Sequence, residues 1–156
     1  MAMDIKALIR EAVDGYTYRG EYVRHEPLGN GHINDTFLVV CNNGERDYLY
    51  VLQRINTKIF KEPEALMNNI MGVTRHIRQK VKAEGGDPER ETINIITAKT
   101  GEPYFKDSDG HYWKSYVYID DVTCYDMVEK AEHFYQCGRA FGKFQGQLAD
   151  YPAETL

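Results

Sequence analysis

Two apolar segments joined by a polar hairpin constrain the fold of this chain more than anything else in it. The first runs from Asn34 to Cys41 and the second from Tyr48 to Ile55, with Asn42-Asn43-Gly44 between them. Asn and Gly tolerate positive φ, so this connection reads as a tight turn between antiparallel strands. A small-residue turn, Leu28-Gly29-Asn30-Gly31-His32, precedes the first segment, and the second ends on Arg54. A further strand, Tyr22 to Leu28, leads into the glycine turn. Three strands in this order form an antiparallel meander.

The rest of the chain supplies the layers around that meander. Ile5, Leu8, Ile9 and Ala12 recur at helical spacing over Asp4 to Val13, and Gly15 can end the helix. Pro63 suits the first turn of a second helix, where no N–H is needed. Leu66, Ile70, Val73, Ile77 and Val81 make its apolar stripe, and Gly85-Gly86 and Pro88 stop it. Short strands follow at Thr92 to Thr97, Pro103 to Lys106 and Tyr112 to Ile119, with turns at Thr100-Gly101 and Ser108-Asp109-Gly110. A last helix is expected from about Tyr125 to Leu148. On it Gly138, Gly142 and Gly146 share one face, which points to close approach of another element. Asp120 and Asp121 are expected to cap this helix rather than hold a metal, because adjacent extended residues point apart. The order helix, three strands, helix, three strands, helix is that of an α+β fold, an antiparallel sheet with a helix packed on it.

Composition removes several classes. A chain of 156 residues with formal charge −5 has no overall basic footprint for nucleic acid. No apolar run reaches membrane-spanning length, and the first residues lack a signal-peptide layout. Cys41, Cys124 and Cys137 are odd in number and far apart, which fits reduced thiols and a cytoplasmic location. The histidines show no metal-ligand spacing, and no serine or cysteine nucleophile motif is present.

The candidate chemistry is anion binding. Gly29 and Gly31 let a backbone approach a ligand, and Asn30, His32, Asn34 and Thr36 add donors. Strand alternation places Leu52 and Arg54 on one face. Arg54 can bind phosphate through two donors at once. A kinase-type sheet also wants a group on the following helix to hold that cation. Glu64 falls opposite the apolar stripe and is expected to face solvent, while Glu62 and Asn69 lie nearer its edge.

Residues Pro27 to Phe37 together with Val51 to Phe60 resemble the aminoglycoside phosphotransferase and choline kinase superfamily, in its N-acetylhexosamine 1-kinase-like branch. Some members of that branch have been labelled mucin-desulfating enzymes. The resemblance implies a protein-kinase-like N-terminal lobe over residues 1–120, with a sheet of about five to six strands, then the hinge and first helix of the C-terminal lobe over 121–156. It implies ATP with Mg²⁺. Gly29, Asn30, Gly31, His32 and Asn34 would lie over the phosphates, Thr36 and Leu52 would also belong to the nucleotide site, Arg54 would stand at the strand cation, and Tyr118 and Ile119 would form the hinge. The family's His-Gly-Asp loop, which supplies base and Mg²⁺ ligands, has no counterpart in this sequence. The expectation is therefore an N-terminal fragment of an ATP-dependent small-molecule kinase, inactive alone, whose sugar and Mg²⁺ ligands belong to the other lobe. Two alternatives stand beside it. One is a self-sufficient nucleotide- or protein-binding module, able to self-associate through the helix over residues 125–148. The other is a desulfatase-like hydrolase, for which no sulfatase segment is present.

Overall fold

The computed structural model describes residues 4–29, 31–125 and 127–155. Its elements are α1 (Ile5–Asp14), β1 (Glu21–Pro27), β2 (Asp35–Asn42), β3 (Asp47–Arg54), α2 (Pro63–Ala83), β4 (Ile95–Ile96), β5 (Phe105–Lys106), β6 (Tyr112–Val117) and α3 (Ala131–Leu148), with a short 3-10 turn at Ala153–Thr155. The six strands form one antiparallel sheet in the order β1-β2-β3-β6-β4, with β5 also pairing β6. The chain is thus α+β with three helices, as its element order implies. It divides into two units. The first holds Met1–Met71 and Ile93–Tyr118, and the second holds Gly72–Thr92 and Ile119–Leu156.

Alternation along the strands decides which face of the sheet becomes the core. Val39 and Cys41 of β2, Tyr50 and Leu52 of β3, and Trp113 of β6 point to one side, where Leu8, Ile9, Ala12 and Val13 of α1 cover them. Tyr16 closes the end of this core and donates its hydroxyl to the Trp113 carbonyl at 2.8 Å. Asp4 caps α1 by accepting from the Lys6 N–H at 3.3 Å. At the other end Gly15 is required by packing, because a Cβ there would overlap the Phe105 ring of β5.

The hairpin between β2 and β3 forms as expected. Asn42 Oδ1 accepts from the Gly44 N–H at 2.6 Å, and Gly44 takes φ 90°. The resulting register sets Asp35 opposite Arg54 and Thr36 opposite Gln53. Tyr112 lies on the other face of the sheet from Trp113. Its hydroxyl donates to Glu64 Oε1 of α2 at 2.8 Å, so Glu64 is engaged by the sheet although it is exposed.

The second unit corrects two expectations. α3 begins at Ala131, after an extended Lys130 with φ −139° and ψ 147°, rather than near Tyr125. Asp120 therefore caps nothing; its Oδ1 pairs with Arg90 at 3.1 Å. The Gly138–Gly142–Gly146 face has no heavy atom within 4 Å of the positions their Cβ atoms would take, so no other described element of the second unit packs on it. Phe134, Tyr135, Phe141 and Phe144 of the same helix are exposed. Asp150 gathers the ion pairs of this unit, to Lys80 Nζ at 2.6 Å and His76 Nε2 at 3.1 Å. Among the described residues, no helix is long and apolar enough to cross a membrane.

Candidate functional site

The end of the sheet at which β2 begins and β3 ends opens into a cavity of about 410 Å³. His32, Ile33, Asp35, Arg54, Ile55, Asn56, Thr57, Lys58 and His111 line it. Three chain segments meet there for topological reasons. The antiparallel β2–β3 pair carries the glycine turn to the end of β3. The β3–β6 pair then brings the β5–β6 hairpin to the same edge, with Arg54 opposite Trp113.

An interlocking pair of asparagines fixes the floor of this edge. Asn34 Oδ1 accepts from the Asn56 N–H at 2.9 Å, and Asn56 Nδ2 donates to the Ile33 carbonyl at 2.9 Å. Asn34 is thereby committed to holding the turn against the chain that leaves β3, and it does not line the cavity. Thr36 is likewise committed. Its hydroxyl accepts from Gln53 Nε2 at 2.7 Å on the face of the sheet away from Arg54.

The cation is held from a different place than expected. Arg54 Nε and Nη2 both donate to Asp35 Oδ2, at 2.9 and 2.5 Å. Neither Glu62 nor Asn69 bonds to it. The register explains this: Asp35 sits directly across the ladder, whereas α2 starts only after the chain has left the strand. The pair leaves Arg54 Nη1 without a protein acceptor among the described residues. The guanidinium also lies 5.9 Å from the centre of the Trp113 ring, which adds a cation–π attraction. Its side chain remains 27 % exposed, so it is braced but reachable.

Leu52 shares Arg54's face but does not line the cavity. It is 0 % exposed beneath α1, whose apolar stripe occupies that side of the sheet. Gly29 takes φ +75°, a region L side chains avoid. Gly31 does not, and no atom lies within 4 Å of where its Cβ would be. Neither backbone strain nor internal packing therefore asks for glycine at 31. Asn30 lies outside the described residues. Tyr118 stands at the other end of β6, about 20 Å along the strand from the cavity, and its N–H is taken by the Leu49 carbonyl at 3.0 Å. Ile119 belongs to the second unit.

Two lining groups escaped the sequence reading. Lys58 follows β3 by a few residues and has no carboxylate partner among the described residues. His111 arrives through the β5–β6 hairpin, a placement only the strand pairing reveals. Beneath it lies Asp107, whose side chain is 0 % exposed. Asp107 accepts from the His111 N–H at 2.8 Å, from His111 Nδ1 at 3.1 Å, and from Trp113 Nε1 at 2.8 Å.

The cavity thus gathers Arg54, Lys58, His32 and His111 around one carboxylate, Asp35, which Arg54 already neutralises. Such a set suits a phosphate-like anion. It does not suit a divalent cation, and among the described residues no group of three or more His, Cys, Asp or Glu is placed to hold one. Comparison of the chain with protein-family models finds no match.

Proposed function

We propose that this cavity binds the phosphate chain of ATP, and that the chain is the nucleotide-binding lobe of a small-molecule phosphotransferase of the aminoglycoside phosphotransferase and choline kinase type. The observation that carries the reading is the meeting of His32, from the glycine turn, with Arg54 and Lys58 in one open cavity. A glycine turn after the first strand and a cation ending the third are the parts of a kinase-type phosphate cradle. Gly31 supports the reading, because its missing side chain leaves room that the protein does not fill.

Binding and transfer are separable here. Arg54 and Lys58 would neutralise phosphate oxygens, and His32 would add a donor. The one carboxylate at the site is held by Arg54, so no free base lies beside the phosphates. Mg²⁺ would arrive with the nucleotide and take its protein ligands from residues that this cavity does not contain. The acceptor proposed for the whole enzyme, an N-acetylhexosamine hydroxyl, rests on the sequence resemblance.

Calorimetric titration of the chain with Mg-ATP tests the reading. Arg54→Ala and Lys58→Ala are each expected to weaken binding about tenfold. An Arg54→Ala variant that binds as the unaltered chain does, or no binding by the unaltered chain, refutes it. A second reading rests on Phe134, Tyr135 and Phe141 of α3, whose exposure favours association through that helix. Sedimentation tests it: Phe141→Asp should restore a monomer, and a chain that is already monomeric at high concentration removes this reading.

A further inference from the structure

We infer that His111 is a ligand of the bound anion and that anion binding at this cavity takes up a proton on its imidazole; this rests on the phosphate reading above. The argument begins with Asp107. Its buried carboxylate accepts from His111 Nδ1, which fixes Nδ1 as the nitrogen that carries hydrogen. The other ring nitrogen, Nε2, has no protein partner among the described residues, and His111 is one of the residues that line the cavity. In a neutral ring so held, Nε2 presents a lone pair. A lone pair facing a phosphate oxygen is repulsive. A hydrogen bond from Nε2 to the anion therefore needs a second proton on the ring. That proton comes from solvent, and the ring then stands as an imidazolium between the Asp107 carboxylate and the anion.

Other charged groups stand around the same cavity. From β3 and the segment after it, Arg54 and Lys58 line it with His111. Asp35 of β2 is occupied by Arg54. His32 stands on the glycine turn. From beneath, Asp107 holds Nδ1, and Asp109 belongs to the same turn. Glu11 of α1 is engaged by the Ser108 N–H and hydroxyl, at 2.8 Å each. An entering phosphate brings negative charge to the cavity that His111 lines, so binding and proton uptake are linked.

The probe is inorganic tripolyphosphate, titrated calorimetrically into the full chain in buffers of different ionisation enthalpy. The unaltered chain is expected to take up more protons per bound anion than His111→Gln. His111→Gln should bind about tenfold more weakly. Any proton change of tripolyphosphate itself is common to both. His32→Gln is expected to keep the uptake, and unchanged fluorescence of the sole tryptophan, Trp113, verifies that each variant is folded. If His111→Gln binds with the same affinity and proton uptake as the unaltered chain, the inference fails while the phosphate reading stands. If the unaltered chain binds no tripolyphosphate, both fail.

Discussion

Removing the Asp107 carboxylate should be among the most damaging single changes in the first unit. The side chain is fully buried and serves as a shared acceptor. Its Oδ2 takes the Trp113 indole N–H at 2.8 Å; its Oδ1 takes the backbone N–H of His111 at 2.8 Å and of Asp109 at 3.1 Å. Asp107→Ala strands the indole N–H of a residue that is itself 0 % exposed, where no water replaces the lost acceptor. An unpaired buried donor costs about 1–3 kcal/mol. The two hairpin N–H groups can turn to water, at about 0.5–1 kcal/mol each. The sum is about 2–5 kcal/mol, which at this length lowers Tm by about 2–4 °C for each kcal/mol. Asp107→Asn keeps one carbonyl oxygen for the indole and should fall between, at about 1–2 kcal/mol. Urea titration followed by Trp113 fluorescence reads the first unit directly, because it is the only tryptophan. Asp107→Ala within about 0.5 kcal/mol of the unaltered chain, or Asp107→Asn as damaging as Asp107→Ala, would refute the reasoning.

Four further outcomes follow from the structure. Gly31→Ala should leave stability unchanged within about 0.5 kcal/mol and weaken Mg-ATP binding, whereas Gly15→Ala should cost about 1–3 kcal/mol by driving a methyl into Phe105; thermal melts with and without nucleotide separate the two. Burial raises the pKa of both Tyr16 and Tyr18 above the ordinary phenol value, with a Tyr18 charge reinforcing it for Tyr16 and the Ser115 hydrogen bond offsetting part of it for Tyr18. The folded state then keeps protons that the unfolded chain releases, so stability is full below roughly pH 10 and falls by about 1.4 kcal/mol per pH unit for each tyrosine above it; urea midpoints that stay flat from neutral pH into that range would contradict this. Cys124 and Cys137 are exposed, whereas Cys41 is buried and burial raises its thiol pKa, so a thiol reagent should label the first two quickly and Cys41 only in denaturant. Lys143→Ala removes the partner that chiefly lowers the Glu91 pKa, and NMR titration of Glu91 should show its midpoint move up toward the ordinary carboxylate value.

The meander was legible because each of its signals is local. The Asn42-Asn43-Gly44 turn and Pro63 at the first position of α2 each act over a few residues. The helix before the meander was readable for the same reason, since Ile5, Leu8, Ile9 and Ala12 repeat at helical spacing, although it is Val13 and not Ile5 that joins the buried set. The start of α3 was not. The apolar residues Tyr125 and Val128 continue the helical pattern, yet both are exposed and the chain is extended at Lys130, with no capping side chain to mark the start. The site was half legible. His32 and Arg54 were found because a glycine turn and a strand-end cation are sequence patterns. The anchor of Arg54 was sought on α2, but ladder register decided it, and register is a non-local property. The same applies to His111, which lies 57 positions beyond Arg54 in the chain and is brought to it only by the pairing of β3 with β6.

The Asp35–Arg54 pair bears directly on what the cavity can accept. A guanidinium has five N–H donors, and Asp35 draws on Nε and Nη2 alone. Of the remaining donors, one on Nη1 and one on Nη2 share the outer edge of a planar group whose orientation is set by Asp35 on one side and by the Trp113 ring on another. An anion that docks there meets donors already aimed, and loses less side-chain freedom than if Arg54 were loose. The carboxylate has an opposing effect, since Asp35 also repels an incoming phosphate. Lys58 offsets that repulsion, being a cation with no carboxylate of its own among the described residues. A single ionised phosphate oxygen would be balanced by these two cations against Asp35, but a phosphate chain carries more negative charge than that. His32 and His111 are the remaining groups at the same edge able to add a positive charge, each by gaining a proton. Of the two, His111 is the one whose Nδ1 is held by a buried carboxylate, which leaves Nε2 to meet the anion.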